Sequence, residues 1–139
     1  MAWRIIVLVA MLGTLAACGN QSPAGDQAKE IETLLSWTAT GQLAADSWRQ
    51  GRVPQVYTTR TLQYAAEQLA QEQPAVAQLP PLPGDRPLTQ HLQAVQTALA
   101  QMSQAVAQND PAALAAPLQA ITTEEAAFQQ LLDRTEGGQ

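Results

Sequence analysis

Cysteine, histidine, positive charge, long apolar runs and β-branched runs are all scarce in this sequence, and each scarcity narrows the answer. Cys18 is the only cysteine, so no intrachain disulfide can staple the fold and its core alone must hold it. The seven Lys and Arg are outnumbered by twelve Asp and Glu. An acidic surface of this kind argues against nucleic acid and against electrostatic attachment to anionic lipid. The longest apolar stretch, Ile5 to Ala17, is about 13 residues, short of the roughly 20 that a helix needs to cross the hydrocarbon core. Runs of Val, Ile and Thr are missing, while alanine and glutamine dominate, which is an all-α composition.

That short apolar stretch is the most informative part of the chain. Arg4 precedes it, giving a charged n-region followed by the h-region of a secretory signal. It ends Leu15-Ala16-Ala17-Cys18-Gly19, which resembles the lipobox of bacterial lipoproteins: a branched apolar residue, two small residues that fit a peptidase cleft, and the cysteine whose thiol takes a diacylglycerol. The resemblance implies removal of residues 1–17, lipidation of Cys18 and residence in the cell envelope, facing the periplasm or the exterior. More than one acyl chain holds a protein stably on a bilayer. Gly19 stands where an aspartate favours inner-membrane retention in enterobacterial lipoproteins, so its presence favours the outer membrane where a cell has one. Loss of Arg4 with the signal leaves six basic against twelve acidic side chains, so membrane binding falls to the lipid.

What remains after the signal is the size of one domain. Residues 18–25 are small and polar and predict a flexible tether behind the lipidated cysteine. Asp26 predicts the cap of a first helix reaching about Gln50, with Ile31, Leu34, Leu35, Thr38, Gly41, Ala45 and Trp48 on one face. The middle of that face, Thr38, Gly41 and Ala45, is small enough either to admit a neighbouring helix closely or to leave a ligand cavity. Gly51 and Pro54 make a tight turn into a second helix over about Pro54 to Gln73. Pro74 to Pro87 predicts a stiff connector that divides the domain into two hairpins.

The third helix is the most regular element, with Leu88, Leu92, Val95, Leu99, Met102 and Val106 in alternating steps of four and three. Asn109, Asp110 and Pro111 turn the chain into a fourth helix carrying Leu114, Leu118, Ile121, Phe128 and Leu132. Pro117 predicts a kink there rather than two separate helices, and Thr122-Thr123-Glu124-Glu125 offers a capping box to a restarted one. Residues 135–139 read as a polar tail. The expectation is a four-helix bundle of two antiparallel hairpins over residues 26–134, and in outline the union of lipobox and four helices is similar to the PsbQ-like lipoproteins of cyanobacterial photosystem II.

Catalytic and cofactor signals are weak. His91 pairs with no serine or cysteine at recognisable spacing and is expected at the boundary or surface of the third helix. Met102 lies on the same helix, about 16 Å along it, so the two cannot ligate one haem iron. The Glu-x-x-His of bundle metal sites is missing, and Glu124 and Glu125 point about 100° apart on a helix, which suits capping or solvated charge better than paired acid-base work. Neither a cofactor nor an enzymatic activity is therefore expected. The concentrated feature is an arginine-aromatic group at the first hairpin turn: Trp48, Arg49, Arg52, Tyr57 and Arg60, residue types that anchor interfaces. Helix 3 adds a neutral face of glutamines, Gln90, Gln93, Gln101, Gln104 and Gln108. The reading is a membrane-tethered, non-enzymatic interaction module with a protein partner and no nucleic acid, with a small-ligand or sensor bundle as the alternative. Cys18→Ala is expected to abolish palmitate incorporation in the cell and to release the chain from membranes; label retained by the variant would place the lipid elsewhere.

Overall fold

The computed structural model describes residues 22–82, 84 and 86–137, so the lipobox and Cys18 lie outside the described residues. Four helices form: α1 Pro23–Arg49, α2 Gln55–Gln78, α3 Leu88–Ala107 and α4 Ala115–Gly137, the last preceded by a 3-10 turn at Ala112–Leu114. Each packs on the next, and α4 closes against α1, so the four make a bundle of two antiparallel hairpins. The two short turns stand at one end. The connector between α2 and α3 stands at the other.

Both hairpin turns use the same closure. After α1, Gly51 adopts φ 72, its N–H donates to the Trp48 carbonyl at 2.8 Å, and the Arg52 N–H donates to the Ser47 carbonyl at 2.9 Å. After α3, Asn109 takes φ 53, with Asn109 N–H to Val106 O at 3.0 Å and Asp110 N–H to Ala105 O at 2.9 Å. A left-handed residue just past the helix end lets its own amide and the following one satisfy carbonyls the helix leaves open. Asp110 then accepts from the Ala112 and Ala113 amides at 3.1 and 3.2 Å, starting the following turn.

Helix boundaries depart from the sequence expectation in three places, each for a local reason. Ser22, not Asp26, caps α1, accepting from the Gly25 amide at 3.3 Å, with Pro23 at the first helical position. Residues 23–25 are therefore helix rather than tether, and Asp26 serves the first turn through the helix dipole. The second helix continues through Pro74 to Gln78. Pro74 is exposed, so the carbonyl it leaves without a donor, that of Ala70, faces water, and burial of Val76 holds the last turn in place. In α4, Pro117 is the third residue, within the first turn, where amides have no partner inside the helix. The helix is unbroken, as expected: the Thr122 and Thr123 hydroxyls donate back to the Leu118 and Gln119 carbonyls at 3.0 Å instead of capping a restarted helix, and it runs on to Gly137, taking in part of the expected tail.

The whole α3 seam is buried, as its spacing predicts, and with Ile31, Leu34, Leu62, Leu69, Ile121 and Phe128 it forms one core. Gly41 sits at its centre. A Cβ placed there would overlap Leu99 Cδ2 and lie 3.7 Å from Leu62 Cδ2. The small stretch of α1 is thus filled by a neighbour's side chain, with the Thr38 hydroxyl satisfied by the Leu34 carbonyl at 2.7 Å. Alanine ordinarily gains about 1 kcal/mol over glycine in a helix. At position 41 overpacking costs about 1–3 kcal/mol, and because Leu99 is wholly buried it has little room to retreat. Gly41→Ala is expected to lower the unfolding free energy by about 1–2 kcal/mol in urea titrations, with a double-mutant cycle against Leu99→Ala showing favourable coupling.

Candidate functional site

The arginine-aromatic group of the sequence does gather at one end of the bundle, because residues 48–52 close α1 and residues 57–60 open α2. Its members are not alike. Trp48 is half-buried and packs on the core, and Arg49 is paired with Asp46 at 2.7 Å. Arg52 and Arg60 are exposed, and Tyr57 is 61% exposed. Val56, which the sequence reading passed over, is 71% exposed beside it. Trp37, the other tryptophan of α1, stands edge-on to Tyr64 with ring centroids 5.4 Å apart. The surface offered at this end is therefore Arg52, Val56, Tyr57 and Arg60, with Trp48 beneath.

A second polar group appears where none was expected. His91, read as a boundary or surface residue, is only 7% exposed, and Glu124, read as capping or solvated charge, only 5%. His91 Nδ1 and Glu124 Oε2 are 2.6 Å apart, and Arg86 Nη1 donates to Glu124 Oε1 at 3.0 Å. A carboxylate can only accept, so Nδ1 carries the proton of the first bond. Arg86 also donates from Nη2 to the Gln90 carbonyl at 3.3 Å, and Phe128 lies against the imidazole at a centroid distance of 5.9 Å. Three elements meet here: the connector through Arg86, α3 through His91 and α4 through Glu124. The signal for Glu124 was present in the sequence, since 121, 124 and 128 continue the three-and-four spacing of the α4 core face and Glu124 occupies the missing step.

The ring of His91 also lines a small groove of about 170 Å³, with Arg86, Gln130 and Arg134 at its rim and Ala127 and Leu131 as its apolar lining. A wider groove of about 570 Å³ lies on the other side of Arg86, between α3 and Ala120 of α4, and takes in Gln90, Gln93 and Gln101 of the neutral glutamine face. No helix among the described residues is long and apolar enough to cross a membrane. Among those residues no three His, Cys, Asp or Glu side chains converge as a metal centre would require.

Two carboxyls stand apart from their ordinary behaviour. Glu30 on α1 is pushed upward by burial first, then by the charge of Glu72 on α2 and by a hydrogen bond to it, with Lys29 opposing. Its Oε2 is enclosed and has no donor while both carboxyls are ionised; a proton on either one makes the bond between them. Glu125 is also raised by burial, and the Gln42 amide reaches it at 2.8 and 2.9 Å when its nitrogen faces the carboxylate. A raised folded-state value means the native chain holds the proton more tightly than the unfolded chain. The resulting stability is present below the ordinary carboxylate range and is lost as pH rises through the folded value. Glu30→Gln is therefore expected to raise the denaturation midpoint at pH 7 and to lose that advantage near pH 4; an advantage unchanged by pH would remove the Glu30–Glu72 pair as its cause.

Comparison of the chain with models of protein families, with characterised proteins and with solved structures returns no match.

Proposed function

We propose that this chain is a lipid-anchored, non-enzymatic interaction module on the outer side of a bacterial membrane, an accessory subunit that presents one end of its bundle to a protein partner. The observation that carries the proposal is the distance between tether and surface. Three residues separate Cys18 from Ser22, the cap of α1, so the base of the bundle stays within about 14 Å of the anchor. With 27 residues, α1 is about 40 Å long. The turn end, with Arg52, Val56, Tyr57 and Arg60, lies that far from the anchored base, and a bundle standing on its anchor presents it to a neighbour.

Charge defines the partner's chemistry. Three of the six basic residues that follow the anchor, Arg49, Arg52 and Arg60, lie at this end of a chain that carries twelve acidic side chains. An acidic surface with a pocket for Tyr57 complements it: exposed arginines steer encounter and a desolvated aromatic anchor supplies affinity. The histidine has its Nδ1 committed to a buried carboxylate and no nucleophile hydrogen-bonded to it among the described residues, which favours the non-enzymatic reading. The alternative of a ligand cavity beside Gly41 loses its space to Leu99.

Crosslinking in membranes followed by recovery of the tagged chain is expected to capture a defined acidic partner. Arg52→Glu with Arg60→Glu changes two exposed side chains and is expected to abolish capture while leaving the thermal midpoint in place; unchanged capture by the folded double variant sinks the assignment of this end as the contact.

A further inference from the structure

The connector end of the bundle carries an apolar surface that the turn-end contact does not use. It includes a groove of about 350 Å³ walled by Leu79, Pro80, Pro81, Leu82 and Leu88, with Thr89 the one polar side chain among its described lining residues. The two grooves beside Arg86 are instead bordered by arginine and glutamine. Pro80 and Pro81 are exposed, while Leu79 and Leu82 are half-buried and pack on the core.

Backbone chemistry narrows the surroundings that suit this surface. A segment entering the boundary between lipid headgroups and hydrocarbon is penalised for each polar backbone group without a partner. Pro80 and Pro81 have no N–H, and the Leu79 amide already donates to the Val76 carbonyl at 3.3 Å. The Pro80 carbonyl accepts from Gln27 Nε2 at 2.9 Å. From Leu79 to Pro81 the chain therefore has no free amide hydrogen to leave unpaired, and from Leu79 to Leu82 it has no charged side chain.

Position supplies the occupant. Gln27 lies about 8 Å along α1 from Ser22, and its bond to Pro80 pins the connector beside the end at which the chain enters the bundle. Three residues separate Ser22 from Cys18, a reach of about 14 Å. Acyl chains on Cys18 bring a bilayer to the same end of the molecule as this uncharged apolar surface.

We propose that the connector is a membrane seat, in which Leu79, Pro80, Pro81 and Leu82 rest in the interfacial layer of the bilayer that holds the Cys18 lipid. The seat rests on the lipid-anchored reading and adds to it: a tether alone lets the bundle swing, whereas a second point of contact sets it upright. Binding of this kind grows with the apolar area buried and needs no anionic lipid, which suits a chain with twelve Asp and Glu.

The full lipid-modified chain, purified from membranes, is placed in phosphatidylcholine bilayer discs that carry a lipid spin-labelled on its acyl chain near the carbonyl, and its methyl signals are read by magnetic resonance. Leu79 and Leu82 are expected to lose most of their intensity, while Val56, exposed at the far turn, keeps its own. Added salt, or phosphatidylglycerol in place of phosphatidylcholine, is expected to leave that pattern unchanged. Pro81→Asp alters an exposed side chain and is expected to restore the Leu79 and Leu82 signals with the thermal midpoint in place. The seat is overturned when Leu79 and Leu82 broaden no more than Val56, when folded Pro81→Asp broadens as the unmodified chain does, or when broadening needs phosphatidylglycerol and disappears in salt. Shifts of the Leu79 and Leu82 signals that follow the number of chains per disc give the surface to a second copy and overturn it as well. Failure of the underlying reading looks different: a chain whose Cys18 carries no lipid mass leaves the discs altogether, and the seat falls with it.

Discussion

Leu99 of α3 rests on the bare backbone of Gly41, and the spacing of the bundle depends on that contact. With Leu62 also close, α1, α2 and α3 converge on one point of the core. A chain with one cysteine has no covalent cross-link within the domain, and six aromatic side chains give it few large pieces with which to fill space. Close approach is the remaining route to a dense interior, because dispersion falls steeply with a gap of even 1 Å. Glycine in mid-helix sacrifices local helix preference. It gains contact for the longest unbroken seam in the molecule, the six buried residues from Leu88 to Val106.

How the two ends are closed follows from where that seam starts and stops. At the turn end the backbone does the work, with Gly51 and Asn109 in the left-handed region and two amides returned to each preceding helix. At the opposite end a connector rich in proline has few amides to donate, so side chains tie it down instead. Gln27 of α1 donates to the Pro80 carbonyl at 2.9 Å, and Arg86 reaches Glu124. A buried ion pair is poor evidence of stability, since desolvation offsets much of the attraction. Here its geometric effect is clear: it fixes the angle at which the connector hands the chain to α3. Without such ties a proline-rich segment could cross the bundle end at several registers.

Most of the architecture was legible in the sequence because it depends on periodicity and on turn chemistry. The α3 seam, both hairpin turns and the division by the connector follow from spacing, from glycine, and from asparagine before proline. The misses share a cause, which is that residue type was weighed more heavily than position. Pro74 read as a break and Pro117 as a kink, yet Pro74 faces water and Pro117 falls in a first turn, where a missing amide costs little. Ser22 was passed over for Asp26 although Ser22-Pro23 supplies both cap and first position. Glu124 and His91 were judged by their polarity, while their positions on the core faces of α4 and α3 put them inside. Arg86 could not be found by spacing at all, because only the path of the connector brings it to Glu124.

The basic residues of the described bundle divide between its two ends. Arg49, Arg52 and Arg60 lie toward the turns; Lys29, Arg86 and Arg134 lie toward the connector; and between Pro87 and Asn109 α3 carries no Lys, Arg, Asp or Glu. The basic residues at the two ends are used differently. Arg52 and Arg60 are exposed beside Tyr57, itself 61% exposed. Arg86, by contrast, is drawn onto a buried carboxylate that also holds the imidazole. Salt screens the charge of an exposed arginine beyond about 10 Å, whereas the Arg86 charge is engaged by a carboxylate held inside the fold. The same residue type is therefore left open to solvent at one end and engaged with the interior at the other, and what distinguishes them is burial of the partner rather than the arginine itself.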